Sequence, residues 1–119
     1  MANMKNRITL IGRVGQTPLL KTFDSGKKKC SFTVATNERF KNAEGEYQEE
    51  TQWHSIILWG QLSTFAEAYV HQGDLCSLEG KLIYRSYTDS QGQVLTKTEI
   101  IGNDLQLLSP KSGASKPKD

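Results

Sequence analysis

Thr51-Gln52-Trp53-His54-Ser55-Ile56-Ile57-Leu58-Trp59-Gly60, continued by Gln61 to Val70, changes its hydrophobic period at the glycine. Up to Trp59 the period is two. Trp53, Ser55, Ile57 and Trp59 share one face of a strand, and His54, Ile56 and Leu58 share the other. Beyond Gly60 it becomes helical: Leu62, Phe65, Ala66, Tyr69 and Val70 fall at i, i+3, i+4, i+7 and i+8. That is one apolar stripe on a helix of about three turns. Thr64 and Glu67 have capping-box spacing slightly inside the helix start, and Gly73 supplies the stop.

On either side of this strand-to-helix switch the period is again mostly two. Arg7 to Val14 reads as a first strand, ended by Gly15-Gln16-Thr17-Pro18. Leu19 to Phe23 is a short extended piece closed by the turn Asp24-Ser25-Gly26. Lys28 to Asn37 is a second long strand with Cys30, Phe32 and Val34 on one face, and Lys41 to Glu50 is a polar excursion. Leu75 to Tyr87 and Gln93 to Leu108 form the fourth and fifth strands across Asp89-Ser90-Gln91-Gly92, with Gly80 at a candidate bulge. The expected fold is therefore all-β with one helix: an OB-fold, a five-stranded Greek-key barrel with its helix between strands 3 and 4. An SH3-like barrel lacks that helix, and a sandwich wants more strands.

The 119 residues make one domain, expected at 1–108. The remainder, 109–119, is a Lys/Ser/Pro tail without a large apolar residue and is expected to be disordered. A mean hydropathy of −0.54 and the lack of any apolar run near ~18 residues argue against membrane spans. The N-terminus lacks the apolar stretch of a signal peptide. Cys30 and Cys76 are isolated, so neither a metal site nor a disulfide framework is expected, and a reducing, cytoplasmic setting is. Only His54 and His71 are available for acid–base work, and no phosphate-binding GxxxxGK[ST] loop or HExxH occurs. No enzyme activity and no cofactor are expected.

Net charge is +2, but it is unevenly spread. Residues 1–30 carry seven Lys or Arg against Asp24 alone, whereas 38–52 carry five Glu against Arg39 and Lys41. A basic first quarter suits an acidic polymer, although Lys27-Lys28-Lys29 by itself reads as a solvated turn. Both faces of the third strand are apolar. Either Ile56 and Leu58 fill the barrel and two tryptophans face out, or the reverse holds. Other aromatics favour the first arrangement. Phe40 lies between Arg39 and Lys41, and Tyr84 and Tyr87 flank Arg85. Rings interleaved with cations suit a single-stranded nucleic acid, whose bases stack while its phosphates are neutralised.

The chain resembles the bacterial single-stranded DNA-binding proteins of the homotetrameric OB-fold type over about residues 4–108. The matching stretches are Asn6-Arg7, Leu10 to Pro18, Phe32 to Glu38, Thr51 to His54, Leu58 to Gly60, Leu78 to Leu82 and Tyr87 to Gly92. The resemblance implies a non-catalytic coat on single-stranded DNA with little sequence preference, acting in replication, recombination and repair. It implies base stacking by Phe40, Trp53, Trp59 and Tyr87, and phosphate contacts by Arg7, Lys21 and Arg85; Arg13 is a further expected phosphate ligand. It places His54 at a subunit interface of a homotetramer, in the cytoplasm and associated with the nucleoid. The alternative is an OB-fold module that binds RNA or serves a replication or primosome complex. Ser55 and Gln61 stand where well-known members carry a basic residue. The chain ends Lys116-Pro117-Lys118-Asp119 in place of the family's acidic tip with a terminal Phe, so recruitment of repair enzymes through that tip is not expected.

Overall fold

The computed structural model describes residues 5–109. The elements are β1 (Ile8–Val14), β2 (Leu19–Thr22), β3 (Lys28–Lys41), β4 (Tyr47–Trp59), α1 (Gln61–Tyr69), β5 (Leu75–Thr88) and β6 (Val94–Ser109). The strands hydrogen-bond in the order β1-β5-β6-β4-β3-β2, and β1 also pairs with β3 at Arg13–Ala35 and Val14–Val34. That last pairing closes β1, β5, β6, β4 and β3 into a five-stranded barrel, as the OB reading expects, leaving β2 on the outer edge of β3. The piece expected at Leu19 to Phe23 is thus a true strand. The helix sits where it was expected, now between the fourth and fifth strands because β2 is counted.

Period-two alternation decides what fills the barrel. Cys30, Phe32 and Val34 of β3, Ile56 and Leu58 of β4, and Cys76 and Leu78 of β5 are all buried, with Ile100 and Leu105 of β6. Helix α1 adds Ala66, and Val70 just beyond it is also buried. The two parallel-paired strands, β4 and β6, meet at Ile56–Ile100 and Ile57–Ile101, a junction as short as the β1–β3 closure. Gly80 does mark a bulge: the register of β5 on β6 shifts between Glu79 and Gly80, and a Cβ at Gly80 would collide with the Ile101 carbonyl.

Three local expectations are corrected. No capping box forms at Thr64 and Glu67. Gly60 is the N-cap, with φ 65° and ψ −128°, a conformation suited to glycine, and the helix opens at Gln61 without a side-chain cap. The Thr64 hydroxyl donates back to the Gly60 carbonyl at 3.4 Å instead. The helix also ends before Gly73: Val70 is already extended, and its N–H closes the last turn on the Ala66 carbonyl. Finally, the polar excursion at 41–50 is half strand, with only 42–46 left as a turn. β3 and β4 continue in unbroken register from Lys29–Trp59 to Lys41–Tyr47, turning at Asn42, whose Oδ1 accepts the N–H groups of Glu44 and Glu46 at 2.9 Å. Beyond the barrel this arm has no core to face. Its sequence therefore carries no apolar alternation, although backbone pairing holds it.

A second arm, the outer parts of β5 and β6, turns through Asp89 in the same way, with Oδ1 accepting from Gln91 and Gln93 at 2.9 Å. The two arms stretch the molecule to 54 × 47 × 34 Å. The expected tail lies outside the described residues except for Ser109, which ends β6 opposite Leu75.

Candidate nucleic-acid interface

β4 resolves the choice between its two faces. Ile56 and Leu58 are completely buried, while Trp53 is 63% and Trp59 41% exposed. The tryptophan face therefore looks out of the barrel. Ile57 lies on that same face yet is buried, an exception that strand parity does not foresee.

Each tryptophan is seated differently. Trp53 lies opposite Ala35 on β3 and against Gly15, just after β1. A Cβ at Gly15 would strike the indole ring, so the glycine lets the ring lie down on the barrel. Trp59 lies opposite Lys29, whose Nζ is 5.9 Å from the ring centroid. Its other neighbour is Phe23, with centroids 5.8 Å apart and planes tilted by 30°. Lys21 caps Phe23 at 4.9 Å. Beside this cluster an open pocket of about 280 Å³ is lined by Lys27, Lys28, Trp59 and Gly60, where β4 hands over to α1. Rings with ammonium groups held over them offer a stacking surface and a phosphate counter-charge within one base's reach. Sequence reasoning missed Phe23 and the lysines of this turn. The available signal was an aromatic followed, within six residues, by three consecutive cations.

The remaining expected stacking rings lie on the arms. Phe40 and Tyr87 are each 47% exposed. Alternation puts Phe40 on the Phe32/Val34 face of β3, opposite Gln48, so it lies on the reverse of the sheet from Trp53 and Trp59. Tyr87 shares a face of β5 with Arg85 and stands opposite Leu95. The four rings are thus not one continuous platform. Two are on the barrel wall and two are on separate arms.

The expected phosphate ligands are partly engaged within the protein. Arg7 pairs with Glu79 at 3.3 Å, and Arg13 donates to the Gly73 carbonyl at 3.1 Å. Arg85 donates to Glu99 Oε2 at 2.7 Å, and Glu99 is 3% exposed with Lys97 Nζ 3.9 Å from the same oxygen. The hydrogen bond to Glu99 and then its charge raise the pKa of the Arg85 guanidinium, against a small desolvation effect. Over half of the Arg85 side chain still faces solvent, so it is able to meet a phosphate while holding Glu99. His54 is half-buried, with Nε2 2.9 Å from the Thr36 hydroxyl.

Other chemistry is sparsely represented. Among the described residues no group of three or more His, Cys, Asp or Glu is placed to hold a metal ion. Cys30 and Cys76 are buried, and their thiols are pushed up to about 11, first by desolvation and then by Glu67 and Asp74 respectively. No helix among the described residues is long and apolar enough to cross a membrane.

The model of the single-strand binding protein family matches residues 5–108. The chain is 41% identical over 118 residues to a single-stranded DNA-binding protein of Bacteroides thetaiotaomicron, covering 95% of this chain and 73% of that one. It is 37% identical over 120 residues to single-stranded DNA-binding protein 1 of Chlorobaculum tepidum, covering 100% and 74%. Among solved structures, the Plasmodium falciparum SSB complex with ssDNA superposes with a TM-score of 0.82 at 32% identity, covering 92% of this chain and 99% of that chain.

Proposed function

The chain belongs to the single-strand binding protein family, and from that premise we propose that it coats single-stranded DNA, with little sequence preference and no catalysis, during replication, recombination and repair. The observation that carries the reading is the outward β4 face: two exposed indoles, one with a lysine held over it, on a barrel wall whose interior is full. Stacking uses the π-face that every base has, so no base-edge reading is required.

In this reading Trp53 and Trp59 stack bases on the wall, and Phe40 and Tyr87 take bases on the two arms. Lys21, Arg7, Arg13 and Arg85 meet phosphates, the three arginines while keeping their internal partners. Residues 1–108 carry the binding, and the lysines of 109–119 add weak phosphate contact. The protein works in the cytoplasm, associated with the nucleoid. Four copies assemble with His54 near a subunit contact, since barrels sharing one strand gain from effective concentration. Support for assembly comes from β1, whose Ile11 is 60% exposed on a strand that also feeds the core. Sedimentation at micromolar concentration is expected to give about four chains, and a monomer there refutes the assembly.

The test of the main reading is a tryptophan-fluorescence titration with oligo(dT), alongside duplex DNA and RNA of equal length. Indole quenching by oligo(dT), weakening as salt rises, is expected. Equal affinity for the duplex refutes the reading, and a preference for RNA transfers the same interface to the RNA-binding alternative.

A further inference from the structure

Tyr47 opens β4 at the far end of the first arm and is 64% exposed. Strand parity places it on the same face as Trp53 and Trp59, and the unbroken pairing of β3 with β4 preserves that face along the whole arm. The three rings stand at positions 47, 53 and 59, an even spacing of about 20 Å along the strand. Tyr47 is also provisioned as Trp59 is. Lys41 is its cross-strand partner, with Nζ 5.5 Å from the ring centroid, and the Arg39 guanidinium lies 4.9 Å from the same centroid.

The two faces of the arm differ in charge. On the Tyr47 face Arg39 and Lys41 outnumber Glu49 among the charged residues of the arm. On the reverse face Glu38 and Glu50 stand directly opposite one another beside Phe40. Like charges across a pair are unfavourable in themselves, and they repel a polyanion as well. Of the arm's five glutamates, Glu38 and Glu50 lie on the reverse face, Glu49 stands opposite Arg39 on the Tyr47 face, and Glu44 and Glu46 lie in the turn before Tyr47. Two cations gathered on one exposed ring leave a place where a phosphate relieves their mutual repulsion while its base takes the open ring face.

We propose that Tyr47 is a further base-stacking residue, the outer end of a track running from Trp59 through Trp53 along one face of β4, with Arg39 and Lys41 as its phosphate ligands. The proposal rests on the single-stranded DNA reading and adds to it a direction: the strand leaves the barrel along the outer face of this arm. The rival role for Tyr47 is structural, a ring that simply fastens the arm's end through Arg39 and Lys41.

The test uses the full chain, Tyr47→Ala and Tyr47→Phe, titrated with oligo(dT) of about 16 nucleotides, the upper end of the span covered by one such barrel. Tyr47→Ala is expected to bind about 5- to 150-fold more weakly at an unchanged melting temperature, and Tyr47→Phe to bind like the unsubstituted protein. Replacing Arg39 and Lys41 together by Gln is expected to make the slope of log K against log salt shallower by about 1.4. If the unsubstituted protein binds oligo(dT) and Tyr47→Ala binds equally well, Tyr47 is not on the track and the main reading stands. A loss that appears only with a lowered melting temperature, or that Tyr47→Phe shares in full, likewise overturns stacking. If the unsubstituted protein fails to bind oligo(dT), both readings fall.

Discussion

Replacing Trp53 by Ala separates a stacking platform from a structural residue more cleanly than any other substitution on the wall. With 63% of the residue exposed, the fold covers roughly 90 Å² of a side chain that has at most ~250 Å² to bury. At about 25 cal/mol/Å² the covered part stabilises the fold by about 2 kcal/mol, an upper bound because the unfolded chain already hides some of it. The same arithmetic for Trp59, 41% exposed, gives about 4 kcal/mol, so Trp59→Ala mixes lost folding with lost binding. Ile56 is fully buried, and its truncation costs about 2–5 kcal/mol with no stacking surface removed. The assay pairs melting by circular dichroism with oligo(dT) affinity, taken where each variant is folded. Trp53→Ala is expected to lose about 1–3 kcal/mol of binding, or 5- to 150-fold, with a small fall in melting temperature. Ile56→Ala is expected to do the opposite. Gly15→Ala serves as a second probe, because its new methyl strikes both the Trp53 ring and the Thr33 hydroxyl and so shifts the indole without deleting it, and it too should weaken binding. Affinity within about twofold of the unsubstituted protein for Trp53→Ala refutes the platform.

Arg85 is expected to be structural as well as ligand-binding, because Glu99 is buried against it at 2.7 Å. Arg85→Gln should lower the melting temperature, and adding Glu99→Gln should restore part of it by removing the buried charge; equal melting of all three proteins refutes this. The thiols give a pH signature. Cys30 and Cys76 are raised from 9.0 to about 11 mainly by desolvation, so the folded state holds protons that the unfolded state releases first. That stabilisation is intact below pH 9 and is lost as pH rises through 11, by about 3 kcal/mol per thiol at most. The urea midpoint should fall over that window, and the Cys30→Ala/Cys76→Ala variant should fall less steeply. Parallel curves for the two proteins refute the assignment.

The fold could be read from sequence wherever burial writes a period. Cys30, Phe32 and Val34 alternate because one face of β3 fills the barrel, and the stripe from Leu62 to Val70 follows the helix that packs on it. Where burial stops, the pattern stops as well. Apart from one ring on each face, Phe40 and Tyr47, the arm from Thr36 to Gln52 is polar, so no alternation in its residue types distinguishes a paired strand from a loop. Its register is inherited from the barrel, where Ile56 meets Phe32, and is carried outward by the backbone. The helix start failed for a related reason. A capping box is a preference of side chains, whereas Gly60 adopts a backbone conformation in which the end of β4 itself sets where α1 begins.

The site follows the same division. Trp53 and Trp59 were identifiable because a strand cannot bury both of its faces in so small a barrel. Lys27, Lys28 and Phe23 were not, because their significance depends on being folded back onto Trp59 from another strand and turn. The arginines show the converse limit. A cation's type and position suit a phosphate, yet Arg7, Arg13 and Arg85 also hold Glu79, the Gly73 carbonyl and Glu99. Such residues bind an anion only as far as their internal partners share them. Lysines held over aromatic rings give up less when a phosphate arrives, since a ring is a weaker competitor than a carboxylate. The salt-dependent part of binding should therefore concentrate on Lys21 and Lys29 near Trp59, and on Lys41 at Tyr47, rather than on the arginines the family pattern singles out.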